Sequence, residues 1–383
     1  MTGLRFLAAL SILYAHDIGY FVSDPHSIIL KTEAVSNLGM ALFFTLSGFV
    51  IHYNYRATVS SGWGGRWTFF VARFARLYPL YLACLIADPL LEHGTLAPLA
   101  TPMLPYFLTL TQSWLGIHAG GNLLAYLLLM GAWSISVEVF LYIAYVPAAP
   151  LIARARNTLR ILVRWILGFT LLFAVVWLFA YYSEVVSPRG YDWRWMIYVS
   201  PYCRLPEFFL GALIAQHVMA APKPRGSGMA LPLAASAVIA LPFLAYAYVP
   251  LGGVTFMWGF VPGIGALILY LARWRRSVLA IVLGSTAMVA LGDASYSLYM
   301  LHGYLFEPVG WLQWRTGILS KSTFAPAIAA AALAIIVSLV SYRYFEVPMR
   351  RWLRAAMTPR RSVVETDEAI MAGRTGAAAG RID

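Results

Sequence analysis

Residues 4–23 read LRFLAALSILYAHDIGYFVS, an apolar stretch of the length that crosses the hydrocarbon core of a bilayer as one helix. Arg5, His16 and Asp17 interrupt it. Ionisable groups are expensive inside lipid, so each marks either a partner on another helix or a working site. With these residues inside it and no small-residue cleavage site after it, the stretch is expected to stay as the first membrane helix rather than be removed as a signal peptide.

Comparable stretches recur along the 383 residues, near 36–53, 69–89, 122–147, 163–183, 201–219, 230–249, 254–272, 288–308 and 324–344. About ten spans are therefore expected. Pro206 and Glu207 break the 201–219 stretch, and 277–291 reads as an interfacial helix leading into the ninth span. Composition agrees: charged residues are 11% and hydrophobic ones 61%, whereas a soluble domain carries about 25% charged residues to face water. Mean hydropathy is +0.71. A soluble domain, a disordered chain, a coiled coil and a disulfide scaffold are all excluded. The two cysteines, Cys84 and Cys203, lie in apolar stretches as buried thiols. The fold class expected is an all-α polytopic membrane protein.

The charge present is lopsided, with 28 Lys and Arg against 16 Asp and Glu, a net +12. Only Lys31, Lys223 and Lys321 are lysines. Basic residues mark cytoplasmic loops, which makes topology, not nucleic-acid binding, the explanation of the excess. With the N-terminus inside, the cytoplasmic side collects Arg56, Arg66, Arg154, Arg156, Arg160, Arg164, Lys223, Arg225, Arg273, Arg275, Arg276, Arg350, Arg351, Arg354, Arg360 and Arg361. The other side keeps Lys31, Arg189, Arg194, Arg315 and Lys321, and the 93–120 loop has no Lys or Arg. Both termini are thus expected to be cytoplasmic. Residues 1–355 form one membrane domain, and 356–383 a flexible tail. The sequence shows no internal repeat, P-loop, dinucleotide fingerprint or metal-spaced Cys/His cluster.

Several polar residues form patterns. Arg5 and His16 are 11 residues apart and share one helix face, with His16 about 16 Å deeper. Histidine exchanges a proton near neutral pH, so a cation at the mouth and a base at mid-membrane form one possible site. The sequence equally allows Arg5 to reach lipid phosphate and His16 to bond a neighbouring helix. Arg73 and Arg76 are i,i+3 neighbours followed by Pro79; paired guanidiniums suit a phosphate-rich ligand, or anchor the span at the cytoplasmic surface. Glu138 lies deep in a long span with Ser134 on its face. It either orients His16 or pairs with one of those arginines. His302 ends a hydroxyl-rich span holding Asp293, Ser295, Tyr296, Ser297 and Tyr299, which lines a cavity or bonds across helices. Ser47–Gly48 suits close helix approach or local unwinding. His26, His52, His93, His118 and His217 are read as surface or interfacial.

Taken in order, GLRFLAALSILYAH (3–16), FFTLSGFVI (43–51), RFARLYP (73–79), WSISVEVFLY (133–142), LGDASYSLYMLH (291–302) and YRYFEVPMRRWL (342–353) resemble the membrane-bound acyltransferase-3 family of bacterial sugar O-acetylases and their relatives. The likeness extends to about residue 355. It implies about ten helices and transfer of an acyl group, usually acetyl, from cytoplasmic acyl-CoA to a carbohydrate hydroxyl, often on an exported glycan at the bacterial inner membrane. The family's Arg–His pair falls on Arg5 and His16, its paired arginines and proline on Arg73, Arg76 and Pro79, and its Trp-Ser-x-Ser-x-Glu element on Trp133, Ser134, Ser136 and Glu138. Thr2 stands where the family's first motif usually starts with Asp, and no esterase-like domain is fused at the C-terminus, which favours direct transfer.

The resemblance then assigns roles. Arg5, Arg73 and Arg76 bind acyl-CoA, a co-substrate; no permanent cofactor and no metal is implied. His16 is the base, with Glu138 beside it as the second catalytic residue, although an acyl-histidine route stays open. Ser47, Ser134, Ser136, Tyr299 and His302 line the cavity or touch the acceptor. The partners implied are acyl-CoA, a carbohydrate and the bilayer. Acylation of a cytoplasmic glycosylated small molecule and a non-enzymatic glycan transporter or flippase are the alternatives; a transporter is expected to show repeated hydropathy.

Overall fold

The structure is a computed structural model that describes residues 1–21, 32–119, 121–186, 195–222, 226, 228–248, 258–317 and 324–358. The tail from 359, together with His26, Lys31, Lys223, Arg225, Arg189, Arg194 and Lys321, lies outside the described residues. The helices, in chain order, are α1 (Thr2–Phe21), α2 (Thr32–Ser60), α3 (Trp63–His93) and α4 (Leu104–Leu108). A two-residue hairpin of β1 (His118–Ala119) and β2 (Asn122–Leu123) precedes α5 (Trp133–Ala153), α6 (Thr158–Val186), α7 (Pro201–Ala220), α8 (Ala230–Tyr248) and α9 (Val261–Arg273). The chain continues through α10 (Val278–Leu283), α11 (Thr286–Asp293), α12 (Ser295–Leu301), α13 (Phe306–Thr316), α14 (Ala325–Ser341) and α15 (Val347–Met357).

Four helical stretches, Ala34–Ser60, Trp63–His93, Trp133–Ala153 and Ala325–Met357, are long and apolar enough to cross a membrane. The fold is therefore all-α and of membrane type. Helix lies within each of the ten expected stretches, with three differences. The expected 122–147 span becomes helical only at Trp133. Before it, Leu124 and Ala125 are buried in a 3-10 turn and Leu129 in the extended residue ahead of a second one, because apolar character records burial and says nothing of which backbone conformation provides it. The 288–308 stretch is broken at Ala294 and again at His302 into α11, α12 and a 3-10 turn. Conversely, α7 runs unbroken through Pro206 and Glu207: Pro206 lies in the second turn, where it removes one intrahelical hydrogen bond without ending the helix, and Glu207 is paired with Arg204 in the same helix, Nη1 to Oε1 3.1 Å, both wholly buried.

Small residues set the tightest packing. A Cβ on Gly48 of α2 would lie 1.8 Å from the Phe208 carbonyl oxygen of α7, and one on Gly211 of α7 would lie 1.8 Å from the Thr45 carbonyl oxygen. The Ser47–Gly48 pair therefore serves close approach, with no local unwinding in α2. His52, expected at the surface, is buried between these helices and α5, with Nδ1 3.0 Å from the Tyr145 hydroxyl and Nε2 3.1 Å from Gln216. The loop after α3 folds back into the bundle: Tyr81 donates to the Phe107 carbonyl at 2.8 Å, and Phe107, Gln112 and Ser113 are buried.

Candidate active site

α1 lies against α2, α11, α12 and α14, so its polar face looks toward the helices that carry the other motifs. Near its start, Arg5 meets Arg73 and Arg76 of α3 around a cavity of about 60 Å³, room for a few waters or a group of that size. Ser47 of α2, Ser134, Glu138 and Tyr142 of α5, and Tyr296 and Tyr299 of α12 complete its polar wall, with Met40, Phe43, Phe44, Leu77 and Ile135 among the apolar residues. Five helices far apart in sequence, α1, α2, α3, α5 and α12, thus meet at this cavity.

Arg73 is the best held of the three. Its Nη2 donates to the Tyr55 hydroxyl at 2.6 Å, its guanidinium carbon lies 4.6 Å from the Tyr55 ring centre, and its buried Nε has no hydrogen-bond partner. Arg5 and Arg76 donate no side-chain hydrogen bond within the described residues, although the two cations feel each other's charge. Like charges gathered at low dielectric, with donors left over, suit an anion better than they suit each other.

Glu138 balances this cluster. Ser47 Oγ donates to its Oε1 at 3.0 Å, Tyr142 donates to the same oxygen, and its charge acts on Arg5 and Arg73. It forms no contact with His16, which corrects the expected base–carboxylate pair. Its hydrogen bonds come from Ser47 and Tyr142, and it shares the arginine cavity without an ion pair to any of the three among the described residues. A second carboxylate, Glu346, is buried with Oε2 accepting from Ser297 at 3.0 Å, and it too feels Arg76, Arg350 and Arg5.

His16 has a different neighbour. Its Nδ1 lies 2.8 Å from Nε2 of His302, and the two rings are inclined by 20° with centres 5.1 Å apart. Atoms that close with centres that far apart mean that the rings meet edge to edge, nearly coplanar. His302 is buried and His16 exposed. The cavity around the arginines does not include either histidine. Phe43 and Tyr299, with ring centres 6.1 Å apart, close it, and Tyr299 is 6.2 Å from His302 on the other side.

The serines divide. Ser134 donates to the Tyr299 hydroxyl at 2.7 Å, which donates in turn to the Gly131 carbonyl at 2.8 Å, and Ser134 lines the cavity as expected. Ser136 does not. Its Oγ accepts from the Ser113 backbone N–H at 3.2 Å, while Ser113 Oγ donates to the Trp133 carbonyl at 2.9 Å; Ser136 fastens the folded-back loop to α5. His302 likewise meets His16, not the cavity. No pattern in the sequence singles out Tyr55 or Tyr142, while Glu346 is legible only as an ionisable residue at the end of the last span. Tyr142 is tied to the site only by lying i+4 from Glu138 on one helix face, whereas Tyr55 carries no sequence signal beyond lying near the end of a span.

Comparison with known proteins follows the same stretches. The acyltransferase MdmB of Streptomyces mycarofaciens is 26% identical over 383 residues, covering 92% of each chain. Protein 2 in the picA locus of Rhizobium radiobacter is 41% identical over 85 residues, 22% of this chain and 40% of that protein. No solved structure matches the chain. A family model described as an acyltransferase domain matches residues 1–343, nearly the whole helical bundle, and the chain belongs to that family, acyltransferase-3.

Proposed function

We propose that the protein moves an acyl group, acetyl in the simplest case, from cytoplasmic acyl-CoA to a hydroxyl of a carbohydrate, and that it does so in the inner membrane of a bacterium through about ten spans with both termini cytoplasmic. Residues 1–355 are the transferase unit. The observation that carries this reading is the meeting of Arg5, Arg73 and Arg76 on one cavity, with His16 three turns along the same helix as Arg5.

In this reading the arginines hold the phosphates of coenzyme A. The pantetheine arm runs along α1 toward His16, past the Phe43–Tyr299 pair, which must part because the cavity holds far less than the whole donor. The acceptor hydroxyl reaches the exposed imidazole from the other side. His16 removes the hydroxyl proton as the oxygen attacks the thioester carbonyl carbon. The carbon–sulfur bond then breaks, and the proton passes from His16 to the departing thiolate, leaving an ester and free coenzyme A. Glu138 acts on the donor side, holding the arginines in place against their mutual repulsion.

The test is release of free coenzyme A by the detergent-purified protein given acetyl-CoA and either extracytoplasmic glycans or glycosylated small molecules. His16→Ala is expected to lower turnover by about 10²–10⁴-fold, the worth of a positioned general base. Arg73→Ala and Arg76→Ala are expected to raise the donor KM instead. If acetyl-CoA neither binds nor is consumed, and His16→Ala behaves as the wild type, the reading is wrong.

A further inference from the structure

The environment of His302 sets the proton on His16. Nδ1 of His302 lies 2.7 Å from the Tyr299 carbonyl oxygen and 3.2 Å from that of Leu298. Carbonyl oxygens only accept, so this nitrogen carries a hydrogen. A neutral imidazole has one N–H, which leaves Nε2 of His302 as a bare acceptor. Keeping the ring neutral is what burial favours, since no carboxylate contacts it. The 2.8 Å contact then needs its hydrogen from the other side, from Nδ1 of His16. The near-coplanar, edge-to-edge placement of the rings is the geometry such an in-plane bond requires. With Nδ1 protonated, Nε2 of His16 bears the lone pair, and it belongs to the exposed ring of the two.

We propose that His302 is the positioning residue of His16: through the chain Tyr299 carbonyl, His302, His16, it fixes the tautomer in which Nε2 of His16 is the base. The proposal rests on the reading of His16 as that base. It gives His302 the place that an orienting carboxylate holds in other catalytic histidine sites, with a difference in charge. A neutral imidazole can orient the ring and accept from the imidazolium that forms, and it does not add a buried anion. The anchor is a backbone carbonyl of α12, and the side chain of that same Tyr299 closes the arginine cavity. One residue therefore borders both halves of the site.

Two measurements test this on the full-length protein in detergent. In the first, nitrogen NMR of 15N-histidine-labelled protein without substrate reads which ring nitrogen of His16 is protonated, with His16→Gln identifying the resonances by their loss. The expected result is an Nδ1–H form in the wild type and its loss in His302→Leu. An Nε2–H form in the wild type overturns the proposal. In the second, steady-state kinetics compare His302→Leu with His302→Gln, whose amide oxygen can still accept from His16. His302→Leu should lower kcat at least about tenfold with the donor KM unchanged, since a base held in the wrong tautomer loses most of its activity. His302→Gln should recover most of that loss. Equal loss in both variants, or loss appearing in KM alone, overturns the positioning role. Because the spectrum needs no substrate, an Nδ1–H form in a protein that consumes no acyl-CoA would refute the acyl-transfer reading and leave the hydrogen-bond chain standing.

Discussion

Arg73 does two things at once that only a guanidinium combines. It stacks over the Tyr55 ring and donates to that ring's own hydroxyl, while the rest of the fork faces the cavity. A lysine keeps the charge but has neither a planar face nor a second donor edge. Arg73→Lys is therefore expected to raise the donor KM about tenfold, the effect of losing one charge-assisted hydrogen bond, with kcat little changed. Initial rates across acetyl-CoA concentrations check this, and an unchanged KM would mean that Arg73 serves only to anchor α3. That Arg5 and His16 share a face follows from helical period alone. Which carboxylate or imidazole meets His16 depends on the rotation of α5 and α12 about their axes, and no local pattern encodes that. Glu138 and His302 are both legible as costly intramembrane groups; the structure gives the imidazole to His16 and the carboxylate to the hydroxyls of Ser47 and Tyr142 on the arginine cavity.

At the scale of elements, the bundle holds its site through the approach of α2 and α7. Gly48 and Gly211 face one another's partner backbones, so any side chain there forces the helices apart. α2 also carries Phe43, Phe44 and Ser47 of the cavity wall, while α7 brings Arg204 to within 5.1 Å of the Phe44 ring centre. Gly48→Ala and Gly211→Ala should each cost about 1–3 kcal/mol, as overpacking does, read as a lower midpoint in thermal unfolding of the detergent-solubilised protein. Gly168→Ala, inside α6 with nothing within 4 Å of the added carbon, should leave the midpoint at or slightly above that of the wild type. Equal midpoints for all three would show that α2 and α7 separate freely. The Ser47–Gly48 pair announced close approach, but its partner helix could not be read from a single sequence. Nor could the folded-back segment before α5. Its leucines have the hydropathy of a span, and Leu123, Leu124 and Leu129 are buried in the core that also holds residues of α3 and α5. Hydropathy reports that a residue avoids water, not what shields it.

On the scale of the whole molecule, the arginine count becomes a geometric statement. The amine of Met1 feels Arg275, Arg275 donates to the Tyr53 hydroxyl at 3.2 Å, and Arg273 donates to the Pro222 carbonyl at 2.5 Å. Gln216 reaches the Ala153 carbonyl at 3.0 Å, His217 meets Thr158 at 3.0 Å, and Trp67 donates to the Met357 carbonyl at 3.0 Å. These contacts bring the start of α1, the α2–α3 turn, the α5–α6 turn, the ends of α7 and α9, and the end of α15 to one end of the bundle. Those are the segments bearing Arg56, Arg66, Arg154, Arg156, Arg273, Arg275, Arg276 and Arg354. The His16–His302 pair, Tyr20 against Phe306, and Asp88 bonded to Tyr304 lie toward the other end. A positive charge excess gathered at one end is what orients a bundle in a membrane. With both termini cytoplasmic, as proposed, the arginine cavity would lie nearer the cytoplasm, the side of the proposed acyl-CoA donor, and the exposed His16 nearer the outside, the side of the proposed glycan acceptor. Single cysteines test that placement in intact cells, using a maleimide that cannot cross the membrane. His93→Cys, at the last residue of α3, and Asn122→Cys, in β2, both exposed, should label from outside. Arg66→Cys and Arg156→Cys, equally exposed, should label only after the membrane is opened. The opposite pattern would turn the bundle over, placing the arginine cavity away from the cytoplasmic donor and removing the reason for an acyl group to travel from Arg5 toward His16.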